Sequence, residues 1–312
     1  MQSEPIRDGY GHAVVQAAEY DERVVVLSAD LTESTRNHWF AERFPHRFFQ
    51  VGIAEQNLAV IASGMAAAGK VPFIASYAAF SPGRNNEQIR TNICLNNMPV
   101  KIVGAHAGVS VGPDGATHQA LEDIGLMRML PRMQVIVPCD SIEAGKATLA
   151  IAATSAPSYL RLAREKTPVI TLPETPFAIG QALILRDGDD VAIVACGTMV
   201  YEALVAAEML EKHGIQAMVI NNHTIKPLDD EAILRAAKKC NAMVTAEEHQ
   251  VAGGMGSAVA ELLAQHHPIA MEYVGIRDRF GESGTPSELM AAFGLDAHAI
   301  VQAARRVIAR KS

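Results

Sequence analysis

Short runs of apolar, mostly β-branched residues alternate along this chain with alanine-rich segments in which apolar residues recur every three or four positions. Continuous runs of that length read as strands buried on both faces, and the spaced pattern as helices that cover them. In the first half, strands are expected at 24–28 (VVVLS), 72–76 (PFIAS), 100–105 (VKIVGA), 134–138 (QVIVP) and 158–163 (SYLRLA). Helices are expected over 9–20, 54–69, 85–96, 119–130 and 140–153, the last opened by Asp140 and Glu143 in a capping-box-like arrangement. The pattern then breaks at REKTPVITLPETPFAIG (164–180), which holds three prolines and no clear period. It resumes with strands at 190–195, 216–221, 241–247 and 269–275 and helices over 198–213, 229–239 and 254–265. Thr285-Pro286-Ser287-Glu288 marks one more helix start: Thr as cap, Pro in the first turn, Glu reaching back. Strands separated by helices imply parallel sheets covered on both faces. The reading is therefore two α/β domains, 1–165 and 180–312, joined by a linker at 166–179.

Composition narrows the function classes. The 312 residues are 49% hydrophobic and 20% charged, enough apolar content for packed cores. Aromatics make up 5%, so each ring near a candidate site carries weight. The net charge is −7 with no Lys/Arg cluster, which argues against nucleic acid as a partner. The N-terminus lacks an apolar secretory core, and Gly, Lys or Pro interrupts every long apolar stretch, so no membrane span is expected. Cys94, Cys139, Cys196 and Cys240 form no CxxC pair and read as idle thiols of a cytoplasmic protein. GMAAAGK (64–70) resembles a phosphate loop, but Val71 replaces the required Ser or Thr and the string closes a helix; Gly69 reads better as a helix C-cap. Gly253, Gly254 and Gly256 lack dinucleotide spacing, so close helix packing competes there with an anion seat.

Three segments are more polar than packing requires. GIAEQN (52–57) puts Glu55 at a strand-to-helix junction, where negative charge is favourable. GAHAGVSVGPDGATHQ (104–119) is a glycine-rich loop after a strand and carries His106, Asp114 and His118. Loops at the carboxyl ends of strands are where open α/β sheets bind ligands. SYAAFSPGR (76–84) ends a strand with aromatics and a base.

Taken together, SADLTEST, VGIAEQN, SYAAFSPGRNNEQIR, DGATHQALED, ACGTMVYEAL and NNHTIKPLD resemble the transketolase family over roughly residues 5–300. The resemblance implies a thiamine-diphosphate-binding pyrimidine domain followed by the smaller transketolase C-terminal domain. It implies transfer of a two-carbon ketol unit from a ketose phosphate to an aldose phosphate through a thiamine diphosphate ylide. Glu55 matches the glutamate that bonds N1′ of the aminopyrimidine, so that the 4′-imino group can take the C2 proton. Phe80 matches a ring that packs on the pyrimidine, with Tyr77 beside it; relatives carry further aromatics where this chain has Gly83 and Asn86. Asp30 and Ser34 match residues near the cofactor and the phosphate. His106 and His118 match two histidines, one near the phosphate end of the sugar and one nearer the reacting centre. Asp114 matches a carboxylate that recognises a substrate hydroxyl. Arg7 and Arg164 match a phosphate clamp, with Arg161 a competitor for the second position.

The Gly-Asp-Gly and asparagine ligands of the family's diphosphate half are not in this chain. Asp187-Gly188-Asp189-Asp190 is a turn before a strand. The resemblance therefore implies a split enzyme. This chain would be the C-terminal subunit, and an N-terminal subunit would hold the diphosphate and its Mg2+ or Ca2+, in a heterotetramer with two copies of each. Two relatives of that chemistry stay open: a 1-deoxyxylulose-5-phosphate-synthase-like condensation and the β-subunit of a 2-oxoacid dehydrogenase. A noncatalytic partner-binding subunit is the reading from another class.

Overall fold

The computed structural model describes residues 2–311, and among these the strands form three sheets. The largest has seven strands in the order Thr224–Lys226, Gln134–Ile136, Ser158–Arg161, Lys101–Ala105, Val71–Tyr77, Val24–Ser28, Phe48–Gln50. Six run parallel; Thr224–Lys226, which comes from the second half, lies antiparallel to Gln134–Ile136. The central strands are buried on both faces, as their unbroken apolar runs predict. Helices Ile6–Tyr20 and Ser141–Ala152 cover one face and meet closely, since a Cβ on Gly9 would lie 1.8 Å from the Ser141 carbonyl oxygen. Tyr10 and Phe73 are fully buried beneath them with ring centroids 6.4 Å apart, and each such side chain is worth about 2–3 kcal/mol of burial.

The second sheet runs Ala270–Ile276, Ala242–Gln250, Val191–Ala195, Ala217–Asn221, Leu183–Arg186, all parallel except the last. The glycines at 253–256 open helix Met255–His266, whose first amides, Met255 N–H and Gly256 N–H, donate to Glu247 at 2.7 and 2.8 Å. That N-terminus already holds an anion, the protein's own carboxylate, and a Cβ on Gly254 would collide with it at 2.3 Å.

A polar latch joins the two halves. Asp140 caps helix Ser141–Ala152 through Glu143 N–H and also accepts from the Ile170 and Thr171 amides. Glu143 does not close the box on Asp140. It reaches back one residue further, accepting from Cys139 N–H at 2.7 Å, and takes Asn221 Nδ2–H from the second half at 2.7 Å.

Several elements depart from the sequence pattern. The helix expected over 119–130 is confined to Asp123–Arg128, and that over 85–96 is a short turn, Asn86–Gln88, continuing as wide π-type turns over Ile89–Leu95. Helices Asn37–Arg43 and Ala297–Ile308 are additional. Residues 166–179 are not slack: Lys166–Pro168 pairs with Ser3–Pro5. The capping box at Thr285 is present in both directions. No helix among the described residues is long and apolar enough to cross a membrane.

Candidate active site

Two neighbouring strands deliver the central side chains. Tyr77 ends one strand in register with Ala105 of the next, and His106 follows with φ +56°. That left-handed backbone folds the imidazole onto Tyr77, with centroids 3.9 Å apart and planes at 20°. Beyond Tyr77 the chain turns tightly: Phe80 and Ser81 N–H donate to the Tyr77 carbonyl at 2.8 Å, and Arg84 N–H to that of Phe80 at 2.8 Å. A Cβ on Gly83 would lie 2.1 Å from the Ala79 carbonyl oxygen. The turn therefore has no room for a larger side chain at Gly83, and Phe80 is the ring this turn presents beside Tyr77. His118 meets Phe80 edge-on at 5.2 Å and hydrogen-bonds the Thr117 hydroxyl through Nδ1 at 2.9 Å.

Glu55 is the first residue of helix Glu55–Ala67 and is 4% exposed. Asn85 Nδ2–H donates to its carbonyl at 3.0 Å and so fixes the helix start. Both carboxylate oxygens face Arg84 Nη1, at 3.2 and 3.3 Å. The Arg84 guanidinium also lies 4.1 Å from the Phe80 ring centroid. A cleft of about 570 Å³ opens here, lined by Ile53, Ala54, Glu55, Gln56, Asn57 and Arg84.

A cluster of arginines surrounds His106. Arg7 Nη1 donates to the Ser34 carbonyl and to His106 Nε2, both at 3.0 Å. Because a guanidinium can only donate, Nε2 accepts and the network assigns the imidazole proton to Nδ1. Nδ1 is buried without a partner. Burial first, then Arg7, Arg164 and Arg36, push the His106 pKa down to about 3, so it is a neutral donor at working pH. The same burial and Arg36 lower Arg7. Arg164 points Nη1 at the Val111 carbonyl at 2.6 Å and keeps the rest of its fork partly exposed. Arg161 is no competitor: it is 5% exposed and spent on Asp123 at 2.8 Å and on the Glu248 and Ala120 carbonyls.

The second half holds the loop in place. Glu248 accepts from Ser110 N–H at 2.7 Å and from the Thr198 hydroxyl at 3.0 Å. Gly108, at φ +91°, passes so close that a Cβ would lie 2.1 Å from a Glu248 oxygen. Gln119 donates to the carbonyls of Val109, Gly112 and Glu282.

The structure thus gathers Arg7, Ser34 (through its carbonyl), Tyr77, Phe80, His106 and His118, with Glu55 linked to them by Arg84. Asp30 and Asp114 stay apart: both are exposed, and among the described residues no hydrogen bond or ion pair ties them to the cluster. Arg84 and Glu248 are the participants that sequence reasoning left unassigned. Among the described residues no group of three His, Cys, Asp or Glu is placed to hold a metal ion. A buried carboxylate beside a ring in an open cleft suits a flat amino-heteroaromatic group, and the arginines suit a phosphate.

Comparison with known proteins identifies the family. Residues 3–169 match the family model "Transketolase, pyrimidine binding domain", and residues 180–300 match "Transketolase, C-terminal domain". The chain is 42% identical over 307 residues to 6-deoxy-6-sulfo-D-fructose transketolase subunit SqwH of Clostridium sp. (strain MSTE9), covering 98% of this chain and 95% of that one. It is 37% identical to 1-deoxy-D-xylulose-5-phosphate synthase of Syntrophus aciditrophicus (strain SB), covering 96% of this chain but 46% of the synthase. A solved structure described as a split gene transketolase, inactive beta4 tetramer, superposes with TM-score 0.93 at 44% identity, covering 99% of both chains.

Proposed function

This chain belongs to the transketolase family, and we propose that it is the C-terminal subunit of a split enzyme, working with thiamine diphosphate and a second subunit on sugar phosphates. The single observation that carries the reading is Glu55: a buried carboxylate at a helix start, lining an open cleft and joined to Phe80 through Arg84. When bound, the cofactor supplies the electron sink for the two-carbon unit. Glu55 would hold a proton against a nitrogen of its pyrimidine ring, and Phe80 would pack on the ring face with Tyr77 behind it. His106 Nδ1–H would donate to a substrate oxygen, and His118 offers a second imidazole nearer the reacting carbon. Arg7 and Arg164 would grip the phosphate, with Ser34 beside them. Asp114 and Asp30 would join when substrate or cofactor reaches them.

The N-terminal subunit would carry the diphosphate and its Mg2+ or Ca2+, in an assembly of two plus two. Exposed Ile53, which lines the Glu55 cleft, and the exposed Val60 and Ile61 on the helix that follows support a partner docking beside that cleft. The work is divided between residues 1–165, which hold the pyrimidine site, and 180–312, which brace its loop across the linker 166–179. Four buried, unpaired cysteines support a reducing compartment, the cytoplasm.

The test mixes this chain with its partner, thiamine diphosphate and magnesium, and assays xylulose 5-phosphate with ribose 5-phosphate and other ketose phosphates. Activity should need both chains and fall at least a hundredfold with Glu55→Gln. Activity from this chain alone overturns the split reading. Product from pyruvate and a triose phosphate, with none from any ketose phosphate, moves the assignment to the synthase reaction.

A further inference from the structure

Arg84 has no role in the scheme above, yet it covers two surfaces that scheme requires. One guanidinium faces both oxygens of Glu55, at 3.2 and 3.3 Å, and lies over Phe80 at 4.1 Å. Those are the positions an aminopyrimidine would fill: an edge nitrogen against the Glu55 carboxyl group and a face against the ring. The likeness is chemical as well as positional, since a guanidinium is flat, delocalised, rich in N–H donors and able to stack. We propose that Arg84 is an internal stand-in for the cofactor's aminopyrimidine, seated in its place in the unassembled subunit and swinging out when the cofactor enters.

Three observations make the exchange workable. First, Glu55 is 4% exposed, and a carboxylate buried without a charged partner is costly, so an empty seat would burden the free subunit. Second, the Arg84 side chain is 50% exposed and borders the open cleft, leaving solvent into which it can rotate. Third, the parts that must not move are held separately. Arg84 N–H stays on the Phe80 carbonyl, and Asn85 holds the Glu55 carbonyl and the Ser81 hydroxyl. The side chain can leave without loosening either the turn or the helix start. The inference rests on the assignment of Glu55 and Phe80 to the pyrimidine end of the cofactor.

The test is calorimetric binding of thiamine, and of its isolated 4-aminopyrimidine fragment, to the full chain without partner. Wild type, Arg84→Met, Glu55→Gln and the double variant are compared, with circular dichroism to check folding. A half-exposed ion pair and one cation–π contact together set the competition at about tenfold, so Arg84→Met should bind the fragment about tenfold more tightly. It should also unfold at a lower temperature than wild type when unliganded, and recover with ligand. A merely structural arginine would give the thermal loss without the gain in affinity. If Arg84→Met binds no tighter than wild type, or shows no measurable binding, the stand-in role is overturned, while the Glu55 assignment is still judged by Glu55→Gln in the reconstituted enzyme. If Glu55→Gln leaves fragment binding unchanged in both backgrounds, the seat itself is wrong and the stand-in role falls with it.

Discussion

Replacing Glu143 by Gln should change how stability depends on pH while leaving the fold intact. Burial, opposed in part by the Cys139 amide, raises this carboxyl from 4.5 to about 7. Its contacts are few for a buried anion: Cys139 N–H and Asn221 Nδ2–H at 2.7 Å, with Asp140 close by and repelling it. The folded chain keeps this proton at pH values where the unfolded chain has released it. The contribution to stability is therefore complete below about pH 4.5 and is lost as pH rises through about 7, a change of roughly 3 kcal/mol. His106 and His223, lowered by burial to about 3 and about 4, push the opposite way, since burying them neutral costs less as pH rises toward 6.5. Both are common to wild type and variant and cancel in the difference. Gln fits the site, because Asn221 Oδ1 is buried without a partner and a flipped Asn221 amide can accept from it. Urea unfolding followed by circular dichroism at pH 5, 6, 7 and 8 gives the stability of each. Glu143→Gln should gain on wild type with each step upward, by about 2–3 kcal/mol over the range. A difference that stays constant within about 0.5 kcal/mol would refute the held proton.

Three further substitutions test other parts of the structure. Asp123→Asn leaves Arg161 buried with two carbonyls and, as counter-charge, only the Glu248 carboxylate, which makes no direct ion pair with it. It should cost about 3–5 kcal/mol by urea unfolding, and Asp123→Leu with Arg161→Met should recover most of it. Gly108→Ala sets a methyl against Glu248 at φ +91°; a loss of about 1–3 kcal/mol in thermal stability should accompany lower kcat/KM in the reconstituted enzyme, because the His106–His118 loop is displaced. Gly83→Phe meets the Ala79 carbonyl at 2.1 Å; it should lower the melting temperature by an amount equivalent to about 1–3 kcal/mol, and unchanged stability would contradict the turn described here.

What the sequence made legible follows the physics of each element. Long apolar runs such as Val24–Ser28 and Val191–Ala195 are buried on both faces and declare themselves. Three-residue strands such as Phe48–Gln50 and Thr224–Lys226 hold too few positions for any period, and their pairing depends on partners far away in the chain. Helix Ala297–Ile308 did carry a signal, with Asp296 as cap and Ile300, Ala304 and Val307 on one side. The helix over 119–130 starts late because Gln119 is drawn into the His106–His118 loop by three carbonyls, one of them Glu282 from far along the chain, a contact no local pattern encodes. The same divide runs through the site. Glu55, His106 and Arg7 stand in recognisable strings, whereas the Arg84–Glu55 and Glu248–Ser110 contacts join residues 29 and 138 positions apart.

The strand Thr224–Lys226 bears on how the chain is made. It lies beyond Gln134–Ile136 at the edge of the first sheet, although it is synthesised long after the other six strands. While residues up to about 220 leave the ribosome, at roughly 5–20 per second, Gln134–Ile136 has one side of its backbone without that neighbour. The first sheet is finished by its successor, so translation of this subunit cannot deliver the two halves as independent products. A truncated chain ending near residue 180 would be released with that edge still bare.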